Sequence, residues 1–270
     1  MNKNNFITSY GLFATIVVTI VGVGIFSYPR ELAALIGTDG WIVTLAAGLL
    51  SFIILKVIWK IIKNNNFEEF TDIVKGRFGK IIGGAVLLIF AAGNIAVISM
   101  AARTFIEVLK MNLLDKTPTE FILVVTILVA VYLARGGIEG VIRFNEIALW
   151  IMFIPMVFVL LFTLNNSDFT NVLPVLQNEP KNYLLSFKPA VFSFAGLEIA
   201  FLVIPFVMDK KKGARVLKKS ILFITLFYII IIVLTLAVFS KAQVKDLMWP
   251  TIAMIKAINI PGSFIERWEG

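Results

Sequence analysis

The stretch GVGIFSYPRE, residues 22–31, decides how this sequence folds, because it interrupts a nearly continuous apolar run over residues 7–36. Glycine lowers the cost of leaving helical geometry, while proline removes a backbone donor and disfavours helix at the residue before it. Gly22, Gly24 and Pro29 therefore predict that a helix long enough to cross a membrane is discontinuous near its middle.

The composition is that of a polytopic membrane protein: of 270 residues, 59% are hydrophobic and only 16% are charged. The chain has no cysteine and no histidine, which removes thiolate and imidazole chemistry. We therefore expect no enzyme activity, no cofactor and no metal site. The net charge of +8 resides beside apolar segments, so we expect a lipid bilayer and no nucleic acid as its partner.

Seven apolar segments approach the length of a hydrocarbon core, although the fourth is short for one. They are continuously apolar rather than alternating, which predicts an all-α polytopic membrane protein and not a barrel. The segments cover residues 9–36, 41–62, 81–109, 120–133, 142–164, 187–208 and 221–239. A short helix is expected to follow at Pro250, with an apolar stripe formed by Leu247, Ile252, Ile255 and Ile258.

Lysine and arginine cluster in alternate loops, and this pattern predicts the orientation of the chain. Because short cytoplasmic loops carry the excess of basic residues, we predict a cytoplasmic N-terminus. Fifteen of the 25 Lys and Arg residues lie on the side predicted to be cytoplasmic: Lys3, Lys56, Lys60, Lys63, Lys75, Arg77, Lys80, Arg135, Arg143, Lys210, Lys211, Lys212, Arg215, Lys218 and Lys219.

The sixth segment repeats the pattern of the first, since VFSFAGLEIAFLVIP, residues 191–205, places glycine, serine, glutamate and proline in an apolar run. Backbone groups left unpaired in hydrocarbon cost several kcal/mol unless protein, water or a ligand satisfies them. A half-helix beginning near Ile25 and Phe26 would direct amides at a carboxylate, and carbonyls near Val21 and Ser193 would accept an ammonium group. The alternative is that the glycines are close-packing sites and the prolines are kinks.

Charged and polar side chains within the segments have two readings each. Glu198 is either a proton acceptor or gate near a ligand, or a carboxyl that fixes helix packing. Asn94 either lines the cavity or joins two helices. Arg103 and Glu107 are expected to pair on one helix face, either as an ion pair near the outer surface or as a gate, and Glu146 is expected to pair with Arg143. The candidate ligand-binding residues are Val21, Gly22, Gly24, Ile25, Asn94, Ser193, Phe194, Gly196 and Glu198.

The motifs VGVGIFSYPREL, residues 21–32, and FSFAGLEIAFLVIPF, residues 192–206, followed by KKKGARVLKK, carry a family resemblance. The chain resembles the GerAB-type spore germination permeases, the B subunits of nutrient germinant receptors, within the amino acid-polyamine-organocation superfamily. The resemblance covers essentially all of the chain in the order and spacing of its segments.

The resemblance implies one transmembrane domain over residues 1–270, with a LeuT-like fold of ten helices in two inverted repeats. The first repeat covers about residues 1–165 and an incomplete second covers about residues 187–270, so three further helices are expected after Gly270. It also implies binding of a small germinant, an amino acid or a sugar, together with A-type and C-type receptor subunits in the inner membrane of a bacterial endospore. The alternative function is a proton- or sodium-coupled amino acid transporter.

Overall fold

The computed structural model describes residues 6–257, and within that range the chain is helical and contains no strand. The short helix predicted after the seventh segment begins at Pro250, as expected. Leu247 of its predicted apolar stripe lies before this helix, directly after a helix that ends at Asp246, and Ile258 lies outside the described residues. The helices are α1 Ser9–Ile20, α2 Tyr28–Leu35, α3 Gly40–Asn64, α4 Phe70–Asn112, α5 Thr119–Arg135, α6 Gly137–Thr163, α7 Pro180–Ser193, α8 Ile199–Val203, α9 Lys210–Val238, α10 Lys241–Asp246 and α11 Pro250–Lys256.

Four helical stretches in the described part of the chain are long and apolar enough to cross a membrane: Gly37–Asn64, Phe70–Asn112, Gly137–Thr163 and Lys210–Val238. The chain is therefore an integral membrane protein. The fourth predicted segment forms α5, which has 17 residues, and the first and sixth segments are each divided into shorter helices. The count of seven crossings and the inverted repeat thus stay predictions.

The 43-residue helix α4 contains one non-helical residue, Gly79, with φ 75° and ψ 175°. A side chain rarely adopts this positive φ, so glycine suits the position. The helical residues before Gly79 and those after it are therefore two helices that meet at a bend.

The described residues divide into two compact units. Unit 1 consists of the described parts of Met1–Val23, Leu50–Leu149 and Ala195–Leu222, and unit 2 of Gly24–Leu49, Trp150–Phe194 and the described part of Phe223–Gly270. The chain passes from one unit to the other inside both interrupted segments, at Val23 and at Phe194.

Unit 1 joins the start of α1 to the chain that follows α8. The Ile7 amide donates to the Phe206 carbonyl at 3.1 Å, and the Met208 amide donates to the Ile7 carbonyl at 2.9 Å. The Thr8 hydroxyl accepts the Gly11 amide at 2.9 Å, which caps α1. Helix α1 packs against α8. The helix before the first interruption and the helix after the second therefore belong to the same unit.

Unit 2 packs α2 against α7, α10 and α11, and a buried carboxylate ties these elements to a loop. Asp39 is fully buried and accepts hydrogen bonds from the Leu176 amide at 2.7 Å, the Asn178 side chain at 2.6 Å and the Tyr183 hydroxyl at 2.7 Å. The Asn178 amide group also donates to the Ile36 carbonyl at 2.6 Å. Because a buried charge is stable only when it is hydrogen-bonded, this network fixes the end of α2 to the start of α7.

Candidate functional site

The first segment is interrupted as its glycines predict. Helix α1 ends at Ile20, a 3-10 turn covers Val23–Phe26, and α2 begins at Tyr28. A Cβ atom built on Gly22 or on Gly24 meets no described atom within 4 Å. These two glycines are therefore not close-packing sites in the described part of the chain, which disfavours that alternative for helix 1.

The second half of the segment begins later than the expected Ile25 and Phe26. Pro29 lies in the first turn of α2, where a missing N–H leaves no intrahelical bond unmade. The Ser27 hydroxyl donates to Glu31 Oε1 at 2.8 Å and lies 3.4 Å from the Gly24 carbonyl. Ser27 thus connects the interruption to the first turn of α2.

The sixth segment is also interrupted, between Ser193 at the end of α7 and Ile199 at the start of α8. Gly196 has φ 104°, and a Cβ there would lie 3.0 Å from Thr19 Cγ2 and 3.3 Å from the Thr19 carbonyl oxygen. Here the glycine meets two requirements at once, a positive φ and a close approach to α1 within unit 1.

Glu198 forms a hydrogen bond within the turn that leads into α8. Its Oε2 accepts the Gly196 amide at 3.1 Å, and the residue is half-buried. This bond is local to the interruption, and the reading of Glu198 as a carboxyl that fixes helix packing stays a prediction. A role toward a ligand stays a prediction.

Within unit 2, two backbone carbonyls at the interruptions accept hydrogen bonds from side-chain hydroxyls. The Thr251 hydroxyl on α11 donates to the Ile25 carbonyl at 2.9 Å, and the Tyr228 hydroxyl on α9 donates to the Ser193 carbonyl at 2.9 Å. Both contacts are buried, so protein groups satisfy part of the backbone that leaves the helices.

Tyr228 belongs to a buried aromatic cluster beside the interruption. Its ring lies edge-on to Phe194 with centroids 5.2 Å apart and 5.7 Å from the ring of Tyr28, whose hydroxyl is 2.8 Å from that of Thr44. Neither Tyr228 nor Thr251 is among the residues predicted from the sequence. The sequence did contain a signal for both residues, because a hydroxyl group within an apolar helix needs a hydrogen-bond partner when it is buried.

Asn94 is not brought to either interruption by a described contact. It lies on α4, and its side-chain amide donates to the Phe90 carbonyl of the same helix at 2.9 Å. Its place in a ligand site rests on the sequence alone.

Of the two predicted ion pairs, one is confirmed and one is wrong. Arg103 pairs with Glu107 at 3.1 Å, whereas Arg143 pairs with Glu139 at 2.7 Å and not with Glu146. Glu146 Oε1 instead accepts the Thr8 hydroxyl at 3.3 Å. Packing of α6 beside the start of α1 gives Glu146 this partner, and spacing along one helix does not reveal it.

Comparison with known proteins identifies relatives over nearly the whole chain. A family described as spore germination protein, the spore permeases, matches residues 6–270. Spore germination protein B2 of Bacillus subtilis strain 168 is 27% identical over 251 residues, which are 93% of this chain and 68% of that protein. Spore germination protein GerQB of Bacillus cereus is 28% identical over 263 residues, 97% of this chain and 72% of the relative.

A third relative, spore germination protein A2 of Bacillus subtilis strain 168, is 29% identical over 253 residues, 93% of this chain and 69% of that protein. The family match, the apolar helices and the interrupted first and sixth segments agree with one another, and the resemblance to the GerAB-type permeases is confirmed. The chain belongs to the spore germination permease family.

Proposed function

We propose that the chain is a subunit of a spore germinant receptor, which binds a small nutrient such as an amino acid at mid-membrane and signals germination. The observation that carries the proposal is that Gly24 lies in the 3-10 turn between α1 and α2, where a Cβ atom built on it would meet no described atom within 4 Å. The residues proposed to bind the nutrient are Val21, Gly22, Gly24, Ile25, Asn94, Ser193, Phe194, Gly196 and Glu198.

The polar backbone groups of unit 2 support a zwitterionic ligand. The carbonyls of Ile25 and Ser193 each accept one hydrogen bond from a hydroxyl, and a carbonyl oxygen has a second lone pair for an ammonium group. The first turn of the eight-residue helix α2 carries the partial positive charge that favours a carboxylate.

We propose that the subunit acts with A-type and C-type receptor subunits in the inner membrane of the endospore, with its N-terminus in the cytoplasm. Support comes from the relatives, which are named spore germination proteins, and from the basic loops on the side predicted to be cytoplasmic. A ligand bound to the interrupted segments would change the arrangement of α2 and α7, which pack together in unit 2.

Gly24→Val tests the proposal, because the valine side chain would occupy the space that the nutrient needs. Gly93→Val on α4 is the matched control, since its Cβ position also meets no described atom within 4 Å. Spores that carry each variant would be exposed to a mixture of the twenty L-amino acids, and separately to glucose, and their germination followed by loss of optical density.

We expect Gly24→Val to raise the nutrient concentration for half-maximal germination about tenfold or more, which corresponds to about 1.4 kcal/mol of binding energy. Gly93→Val should behave as the unmodified chain. Equal responses from the two variants would remove the nutrient site from the interruption in helix 1. Accumulation of labelled amino acids in proteoliposomes, driven by a proton or sodium gradient, would favour the transporter instead.

A further inference from the structure

The last turns of α3 and the first turns of α9 carry two sets of basic residues at the same spacing. In each set the residues are four and then three positions apart, which places them on one face of their helix. All of these side chains are exposed. We call them the basic cluster, which consists of Lys56, Lys60 and Lys63 on α3 and Lys211, Arg215 and Lys218 on α9.

Packing within unit 1 brings these two helix ends together. A Cβ atom built on Gly213 would overlap the indole ring of Trp59, so α3 and α9 are in direct contact at this level. The Trp59 ring also lies edge-on to Phe67, with centroids 5.5 Å apart, and Lys210 Nζ lies 4.5 Å from the centroid of Phe67. Trp59 and Gly213 each lie within one set of basic residues in the sequence, so both sets occupy the same end of a packed helix pair.

Carboxylates do not neutralise the basic cluster. In the part of the chain that the structure describes, none of its six side chains forms an ion pair, whereas the neighbouring Lys212 pairs with Asp209 at 3.1 Å. Residues 56–80 and 209–219 together contain twelve Lys or Arg residues and four Asp or Glu residues. This end of the helix pair therefore presents a strong positive charge to its surroundings.

The uncharged part of α9 indicates how deep its basic residues lie in a membrane. Residues 220–238 carry no charge, and these 19 helical residues are about 28 Å long, close to the hydrocarbon core of about 30 Å. Lys218 therefore lies at the boundary of the hydrocarbon, and Lys211 and Arg215 extend into the headgroup layer. Long basic side chains at this depth reach lipid phosphates while their stems lie on apolar surface.

We propose that the basic cluster is a docking surface for the headgroups of anionic phospholipids, in the leaflet around this end of the helix pair. Ammonium and guanidinium groups donate hydrogen bonds to the lipid phosphates, and the acyl chains lie against Val57 and Ile61, which are 51% and 38% exposed. These apolar residues lie between the basic residues of α3, which favours a lipid over an acidic protein segment.

The proposed surface does more than orient the chain. Orientation requires an excess of basic residues in short loops, whereas these residues lie on the helices themselves, at the depth of the phosphates. Basic residues that converge between membrane helices at this level are suited to anionic headgroups. The surface is also independent of the nutrient site, because it involves neither interruption.

The first test uses the full chain in vesicles of equal parts phosphatidylglycerol and phosphatidylcholine. The chain is solubilised in detergent, and the lipids that it retains are counted by mass spectrometry. We expect phosphatidylglycerol to be retained about fivefold or more over phosphatidylcholine, which is the effect of one basic residue near an anionic surface. The preference should fall as salt is added, because salt screens exposed charges.

Charge-removing variants assign the preference to the basic cluster. Replacing the three lysines of α3 with glutamine should lower the preference, and replacing the α9 set as well should abolish it. Replacing the same three lysines with arginine should preserve it, because the charge is retained. The matched control removes three exposed lysines elsewhere and should behave as the unmodified chain: Lys116→Gln, Lys181→Gln and Lys188→Gln together.

Tryptophan fluorescence locates the bound lipid. Trp41 and Trp59 are both partly buried and lie near opposite ends of α3, about 27 Å apart. Two variants each keep one of these tryptophans and carry phenylalanine at the other tryptophan positions. Phosphatidylglycerol with acyl chains brominated near the headgroup should quench Trp59 more strongly than brominated phosphatidylcholine does, whereas Trp41 should be quenched equally by both lipids.

The proposal is overturned if the unmodified chain retains the two lipids equally, or if the glutamine variants keep the preference of the control. Loss of the preference in the arginine variant would also refute it, because folding and not charge would then be responsible. Selective quenching of Trp41 would place the lipid at the wrong end of α3. Equal lipid retention together with binding of a polyglutamate peptide would assign the basic cluster to an acidic protein partner instead.

Discussion

Gly196→Ala is expected to lower the free energy of unfolding for two reasons, one in the backbone of residue 196 and one in its packing against α1. The φ of 104° places residue 196 where a side chain is strained, at a cost of about 1–2 kcal/mol. The added Cβ would also lie 3.0 Å from Thr19 Cγ2 and 3.3 Å from the Thr19 carbonyl oxygen. Overpacking of this kind costs about 1–3 kcal/mol, so the expected total is about 2–5 kcal/mol.

The free energy of unfolding would be measured in mixed micelles by titration with SDS, with far-UV circular dichroism as the signal. Gly24→Ala is the matched control, because its Cβ meets no described atom within 4 Å and its φ is not positive. This control should be neutral, or more stable by about 0.4–1 kcal/mol, because alanine restricts the unfolded chain.

A second substitution separates the steric part from the backbone part. Thr19→Ser removes the methyl group nearest to the new Cβ, so the double variant should recover part of the loss and retain the cost of the positive φ. The reasoning is refuted if Gly196→Ala is as stable as Gly24→Ala, or if Thr19→Ser restores full stability.

Two further predictions concern buried hydrogen bonds. Tyr228→Phe leaves the Ser193 carbonyl without its hydroxyl donor and should cost about 1–3 kcal/mol of unfolding free energy, whereas Tyr132→Phe, at an 82% exposed position, should cost almost nothing. Asp39→Ala removes the shared acceptor of three hydrogen bonds and should cost about 1–3 kcal/mol, measured by the same SDS titration, with exposed Asp115→Ala as its neutral control. Equal stability of either buried variant and its control would show that these bonds contribute nothing.

The interruptions could be predicted because their causes are local in the sequence. Gly22, Gly24 and Pro29 weaken helix within a few residues, and the same is true of Gly196. The contrast between the glycines was not predictable, since Gly22 and Gly24 face open space while Gly196 closely approaches Thr19. Sequence spacing alone does not distinguish a glycine that admits a ligand from one that admits a neighbouring helix.

The sequence by itself determined the all-helical membrane class and the sites where two helices break, because apolar run length and backbone propensity act over short stretches of chain. Only the tertiary structure decided which side chains hydrogen-bond to the backbone at the interruptions. Thr251 and Ile25 are 226 residues apart in the sequence and meet because α11 packs on α2. The hydrogen-bond partners of Asp39 and Glu146 are likewise distant in the sequence. Hydrogen bonds between distant residues depend on how the helices pack, and no pattern along one helix encodes that arrangement.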